Sequence, residues 1–252
     1  MGNKKSATEL NMHKNNALKK VDTFISEMID GNSTEKGKAD KFSYWLEDYI
    51  QFLSYENDFK EKCSNRKLKK YKRGEIIKVH LGYNIGSEEG GLHYCVVVEK
   101  NNSVKNPVIT VVPLTSQKPN IDVTNLKQGS ISLGNELFTA TSAKLGGLIK
   151  GLQRRIGDFK VKLEPYKQEE EVPKELEEEF DSLEISLNYL EKTKREFDRM
   201  KNGSIALVNQ ITTISKLRIY DPKNSHDPLA GIKLSNEKLD KIDNEIIRRY
   251  TK

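Results

Sequence analysis

The sequence contains little cysteine and no long apolar run. Its two cysteines, Cys63 and Cys95, stand far apart, one in a basic segment and one in an apolar stretch. Two such thiols indicate neither a disulfide framework nor a cysteine metal site. No stretch approaches the roughly 20 apolar residues that cross a bilayer, and the N-terminus lacks the apolar centre of a secretory signal. These absences predict a cytoplasmic protein that does not associate with a membrane.

Charge is abundant and unevenly distributed. Apolar residues make up only 35% of the 252 residues, which predicts a small core with much solvated helical surface. The net charge of +6 favours an anionic partner such as nucleic acid. Residues 60–73 carry eight Lys or Arg and one Glu, whereas residues 164–184 carry ten acids and two lysines. The basic segment is either a solvated linker or a patch that follows an RNA backbone.

Two helices are expected near the N-terminus. Apolar residues recur at helical spacing between Leu18 and Ile29, and Gly31 stands where that helix would end. A second apolar stripe runs from Phe42 to Leu53, with Asp40 as the expected N-cap. The stripe is typical of a core or docking face, although its aromatic rings could also stack on bases.

After Arg73 the hydrophobic pattern becomes strand-like. The apolar runs occupy residues 74–82, 92–100, 106–116 and 130–134, and the strand signal resumes at 204–216. Turn-rich stretches separate them, so we expect a small antiparallel sheet or barrel. A final helix is predicted after a Ser235 N-cap.

A helical hairpin interrupts the strand region. Apolar residues from Leu145 to Leu163, and again from Leu176 to Phe197, alternate steps of four and three, with Lys194 at one position of the seam. A charged stretch with prolines between them ends both helices. The predicted organisation is a helical extension (1–59), a basic linker (60–72), the first part of the β core (73–141), the hairpin (142–202), and the rest of the core with a closing helix (203–252).

Several motifs, in their order along the chain, resemble one known family. RGEI at 73–76, GSEEGG at 86–91, PLTS at 113–116 and NQITTISKLRI at 209–219 resemble the MazF/PemK toxins over residues 72–117 and 203–250. The resemblance implies an SH3-like β-barrel, and hence an α+β protein with N-terminal helices, an inserted hairpin and a C-terminal helix. It also implies an endoribonuclease that cuts single-stranded RNA as a homodimer and has an antitoxin partner.

The resemblance also marks candidate catalytic positions. In the family the glycine-rich loop is usually followed by one variable residue and then by arginine and proline, and that arginine is regarded as catalytic. The corresponding positions here are His93 and Tyr94. The second catalytic position, a threonine, is kept as Thr115, and a carboxylate that some members use is Asn209 here.

The chemistry can also be argued from the residues. RNA carries its own nucleophile, the 2′-hydroxyl, so cleavage needs a base, an acid and donors for the charged phosphorane, but no metal or other cofactor. An imidazole changes its charge near neutral pH, so His93 can be the base or the acid. A Thr115 hydroxyl can donate to a phosphate oxygen, and Ser116 and Lys118 add a donor and a charge.

The remaining expected substrate-binding residues are Arg73, Glu88 and Asn209. Arg73 would hold phosphates together with the basic segment, and Glu88 would assist proton transfer or hold His93 protonated. The glycines at 86, 90 and 91, in the same loop as Glu88, permit positive φ angles, so the loop can fold over a ligand or flex.

Other functions stay open at this point. A non-catalytic binding module would resemble the gyrase-poisoning toxins of the same fold, and a helical interaction protein would use the barrel only as a scaffold. Typical family members lack the hairpin, which could lengthen an RNA groove, bind a partner or cover the site. Its acidity disfavours direct contact with RNA.

Overall fold

The computed structural model describes residues 5–62, 68–168 and 172–252, and in these ranges it contains five α-helices and seven β-strands. The helices are α1 (Ala7–Asp30), α2 (Ser33–Lys62), α3 (Glu136–Leu163), α4 (Lys174–Asp198) and α5 (Asn236–Tyr250). The strands are β1 (Ile76–His80), β2 (Leu92–Val97), β3 (Val108–Ser116), β4 (Ser130–Gly134), β5 (Ser204–Leu207), β6 (Thr212–Ser215) and β7 (Ile219–Asp221). The α+β prediction is confirmed.

The strands form one antiparallel sheet. Its order is β4-β5-β3-β2-β1-β7, and β6 pairs with β3 beside this path. Within the described residues no pairing joins β4 to β7, so the sheet is not closed. The predicted antiparallel core is therefore present, whereas the barrel closure that the resemblance implies is not.

Side-chain alternation divides the sheet into two apolar faces. Ile76, Val96 and Val112 belong to a cluster that also includes residues of α3, α4 and α5. Neighbouring positions, such as Ile77 and the buried thiol of Cys95, belong to a second cluster with β6 and β7. Successive residues of a strand point to opposite faces. Each continuous apolar run in the sequence therefore contributes side chains to both apolar clusters.

The late strand signal at 204–216 divides into two strands. β5 pairs with Leu114–Ser116 at the end of β3, whereas β6 pairs with Val108–Val111 at its beginning. A short 3₁₀ turn, Val208–Gln210, carries the chain from one position to the other. The sequence pattern predicted one strand here, but the structure has two short strands, β5 and β6, which pair with the two ends of the long strand β3.

The inserted hairpin is confirmed as two packed helices between β4 and β5. Residues of the predicted seam form their own apolar cluster around Ile156, Phe159 and Leu183. Lys194 is exposed, however, and the buried seam position belongs to Thr193. The Thr193 hydroxyl satisfies its hydrogen-bonding capacity locally by donating to the Tyr189 carbonyl at 2.9 Å.

The chain divides into two compact units. One comprises Met1–Arg66 and Gly82–Gly91, and the other comprises Lys67–Leu81 and Leu92–Lys252. In the first unit α1 and α2 meet through aromatic contacts, with ring centroids 5.6 Å apart for Phe24 and Phe42 and 5.0 Å apart for Phe42 and Tyr83. The part of the basic linker at 63–67 lies outside the described residues.

Helix caps explain where these helices begin. The side chain of Asn32 accepts hydrogen bonds from the backbone N–H groups of Thr34 and Glu35 at 3.0 and 3.1 Å, so α2 begins at Ser33. The predicted Asp40 cap is wrong because Asp40 lies inside the helix. The Ser235 cap of α5 is confirmed, since its hydroxyl accepts from the Lys238 N–H at 3.4 Å.

Candidate active site

A cavity of about 490 Å³ opens where β2 begins and β3 and α4 end. Polar strand residues on its wall are Lys78, His93, Tyr94, Thr115 and Ser116, and charged residues from α4 and its C-cap are Lys192, Arg195, Glu196 and Arg199. The structure thus brings three predicted site residues, His93, Thr115 and Ser116, into one cavity. All of these lining residues belong to the second unit.

The strand register explains why His93 and Thr115 meet. Tyr94 of β2 is paired with Leu114 of β3. In an antiparallel register the next step places His93 opposite Thr115, on the same face of the sheet. Both residues are half-buried, and both line the cavity.

The carboxylate of Glu196 organises the wall formed by α4. It accepts hydrogen bonds from Lys78 Nζ at 2.6 Å and from the Tyr94 hydroxyl at 2.7 Å. Burial acts to raise the pKa of Glu196, but these two hydrogen bonds and the charges of Lys78 and Lys192 outweigh it, and the pKa is lowered. Burial and the bond to Glu196 raise the pKa of the Tyr94 hydroxyl, so Tyr94 acts as a neutral donor.

A second buried carboxylate lies in β7, where Asp221 is the pairing partner of Lys78. Asp221 accepts hydrogen bonds from the Leu229 N–H at 3.0 Å and from the Tyr189 hydroxyl at 3.1 Å. Burial raises the pKa of Asp221 in spite of these bonds. Because the Tyr189 hydroxyl comes from α4, this contact joins the inserted hairpin to the edge of the sheet.

Sequence reasoning missed the basic face of α4. Lys192, Arg195 and Arg199 line the cavity, and within the described part of the chain none of their side chains forms an ion pair or hydrogen bond. They lie at helical spacing of three and four, which places them on one face of the helix. The signal was present in the sequence, since residues 185–201 carry five Lys or Arg against three acids. The acidic part of the hairpin sequence is confined to residues 164–184.

Other predicted site residues lie elsewhere. Arg73 donates hydrogen bonds to the Val98 carbonyl and to the carboxylate of Asp243 in α5. Asn209 lies beside Gly129, where an added Cβ would come within 2.7 Å of it. Lys118 is exposed after β3. Among the described residues, the cavity wall includes none of these three.

The glycine-rich loop belongs to the first unit, and Glu88 is exposed within it. Gly86 and Gly91 have positive φ angles of 66° and 79°. Gly90 needs its lack of a side chain for a different reason, because an added Cβ would lie 2.8 Å from the Gly82 carbonyl oxygen. The predicted positive φ angles are thus confirmed at Gly86 and Gly91 and not at Gly90.

The arrangement of metal-ligating side chains and the length of apolar helices can be stated for residues 5–62, 68–168 and 172–252. In these ranges no group of three or more His, Cys, Asp or Glu side chains is arranged to hold a metal ion. No helix within them is long and apolar enough to cross a membrane.

Fold and cavity together define an α+β protein with an imidazole, two aliphatic hydroxyls, a tyrosine hydroxyl and several cations around one opening. Residues 72–143 match the family model described as PemK-like, MazF-like toxin of type II toxin-antitoxin system. The resemblance read from the sequence is thereby confirmed for its first segment, which contains His93 and Thr115. A search of curated proteins finds no match.

Proposed function

We propose that this protein is a toxin-like endoribonuclease that cleaves single-stranded RNA by attack of the 2′-hydroxyl, without a metal ion. The observation that carries the proposal is the cavity shared by His93, Thr115 and a set of cations. The match of residues 72–143 to a toxin family supports it. An antitoxin protein and a second copy of the chain are the partners that this function implies.

In the proposed reaction the 2′-oxygen of one nucleotide forms a bond to the adjacent phosphorus. The proton of the 2′-hydroxyl passes to a base, the bond from phosphorus to the 5′-oxygen breaks, and that oxygen receives a proton from an acid. The products are a cyclic phosphate and a free 5′-hydroxyl. His93 performs one of the two proton transfers, since an imidazole both accepts and donates protons near neutral pH.

The hydroxyl residues stabilise the charge that develops during this step. Negative charge accumulates on the phosphorane oxygens, and donors already fixed by the protein stabilise it most. Thr115 occupies the end of β3, beside His93 in the strand register. Its hydroxyl donates to a phosphorane oxygen, and Ser116 lines the same cavity and adds a second donor.

The test is cleavage of a mixed-sequence single-stranded RNA in EDTA. The wild type, His93→Ala and Thr115→Ala are compared at equal concentrations of folded protein. We expect the wild type to give fragments ending in cyclic phosphate, and each variant to be slower by about 10²-fold or more, the scale of general acid–base catalysis. His226→Ala and Thr139→Ala are matched controls because both residues are exposed and lie outside the cavity.

Each other outcome has a definite meaning. Equal cutting by the wild type and both cavity variants would place the ribonuclease site elsewhere. Binding of RNA without cleavage by the wild type would favour a non-catalytic binding module, the alternative that the histidine at position 93 already raises.

A further inference from the structure

We propose that Arg195 of the inserted helix α4 and Arg199, the C-cap residue directly after that helix, are the positively charged groups that bind the phosphate undergoing cleavage. This inference rests on the proposed ribonuclease function and assigns to the hairpin a part in it. The hairpin would thus contribute substrate-binding residues to the site rather than only cover the sheet.

The reaction requires a cation in the cavity. The phosphorane carries more negative charge on its oxygens than the starting phosphodiester, and a charged donor stabilises it more strongly than a neutral one. Thr115 and Ser116 are neutral, and His93 is occupied with a proton transfer. The charge must therefore come from the lysines or arginines of the wall.

Lys78 is not suited to this role. Its ammonium group forms a 2.6 Å ion pair with Glu196, and only 9% of its side chain is exposed. Moving Lys78 to a phosphate would leave the partly buried Glu196 carboxylate without its charged partner, and breaking such a pair is costly. Lys78 therefore stabilises the wall, and the unpaired cations of α4 are left to bind the substrate.

The position of the two arginines is fixed by the residues between them. Phe197 is completely buried in the core, and Glu196 is hydrogen-bonded to β1 and β2. The backbone of this turn is therefore held against the sheet. Arg195 and Arg199 are four residues apart, one turn of helix, and both side chains are exposed at the cavity.

The chemistry of the side chain favours arginine over lysine at these two positions. A guanidinium has a planar fork of donors that contacts two oxygens of one phosphate, whereas an ammonium acts as a point charge. Lys192 lies one turn before Arg195 and two turns before Arg199, at the same cavity. We assign it to the RNA backbone next to the cleaved phosphate.

The test separates binding from the chemical step. Arg195→Ala/Arg199→Ala and Arg195→Lys/Arg199→Lys are compared with the wild type in single-turnover cleavage of single-stranded RNA. Binding is measured with 2′-O-methyl RNA of the same sequence, which lacks the nucleophile. The matched control is Arg154→Ala/Arg155→Ala, which removes two exposed arginines of α3 that lie outside the cavity.

We expect the alanine variant to lose at least about 10²-fold in the cleavage rate at saturating enzyme and less than tenfold in affinity. The lysine variant should recover affinity but only part of the rate, because it keeps the charge and loses the fork. Thermal unfolding should be unchanged in all three variants, since all four arginines are exposed.

Three results would overturn the inference. The first is a cleavage rate of the alanine variant equal to that of the control variant. The second is a loss confined to affinity, which would make the arginines a binding surface only. The third is a wild type that cuts no RNA, and this result alone would also remove the proposed function.

Discussion

The ring of Phe197 in α4 packs against the ring of Tyr94 in β2, with the two centroids 4.4 Å apart. Phe197 is completely buried, in the same cluster as Leu114 of the sheet and Leu145 of α3. The hairpin is therefore joined to the sheet by core packing at the end that carries the cavity. At its far end the two helices pack mainly on each other.

Phe197→Ala should lower the free energy of unfolding by about 3–5 kcal/mol, because it removes a large buried side chain and leaves a cavity. Urea denaturation followed by circular dichroism measures this loss. Val161→Ala is the control, since Val161 is 70% exposed and such changes usually stay within about 0.5 kcal/mol. Similar effects of the two substitutions would show that α4 does not depend on Phe197 for its attachment.

Glu196→Gln should destabilise the protein by about 1–2 kcal/mol at pH 7, because the amide loses the charge that Lys78 and Tyr94 bind. The pKa of Glu196 is lowered from 4.5 in the folded protein. The ionised carboxylate therefore stabilises the fold above its unfolded pKa, and this contribution is lost as the pH falls through the folded pKa.

The measurement is urea unfolding of the wild type and Glu196→Gln from pH 7 to pH 3. The difference in stability should be largest above about pH 5 and should shrink at lower pH. Glu184→Gln, an exposed acid of the same helix, should follow the wild type throughout. A difference that stays constant across the series would mean that the charge of Glu196 is not what stabilises the wall.

Arg73→Ala should reduce stability and leave RNA affinity within about twofold. Arg73 is bound to Asp243 and the Val98 carbonyl, so its removal breaks one link between α5 and the residue that follows β2. For a pair with 20% and 34% exposed side chains, a double-mutant cycle with Asp243→Asn should give a coupling of about 0.5–1 kcal/mol. Weaker RNA binding at unchanged stability would instead support the phosphate contact that the sequence predicted.

Lys192→Ala should reduce the salt dependence of RNA binding. Each phosphate contact with a single strand contributes about 0.7 to the slope of log affinity against log salt, so the slope should fall by about that amount. Titration of 2′-O-methyl RNA at several salt concentrations provides the measurement. Lys194→Ala is the matched control, because Lys194 is exposed on the same helix but does not line the cavity. Identical slopes for the two variants would rule out the contact.

Local sequence patterns predicted much of the fold. Apolar runs with turn residues between them predicted the strands, and the Ser235 N-cap predicted where α5 begins. The hairpin came from the heptad seam. A seam shows that a helix face is buried but not what covers it, which is why the contact of Phe197 with the sheet could not be read from the sequence.

The candidate site was only partly predictable. His93 and Thr115 were found through their positions in a family pattern, and the strand register explains their proximity. Arg195 and Arg199 were missed because the hairpin was judged by the many acids at 164–184, and the basic residues at 185–201 were not considered separately. Arg73 was assigned from charge alone, and charge does not reveal that Asp243 lies within reach.

The hairpin leaves the sheet at Gly134 and returns at Ser204, which are paired residues of neighbouring strands. In topology it is therefore a long loop of a β-hairpin, and loop length adds little to the entropy of closure. An insertion of this length between the two strands therefore costs little in stability. Because Leu145 and Phe197 belong to the core, deletion of the hairpin would nevertheless expose an apolar face of the sheet to water, so the segment is now required by the fold it interrupts.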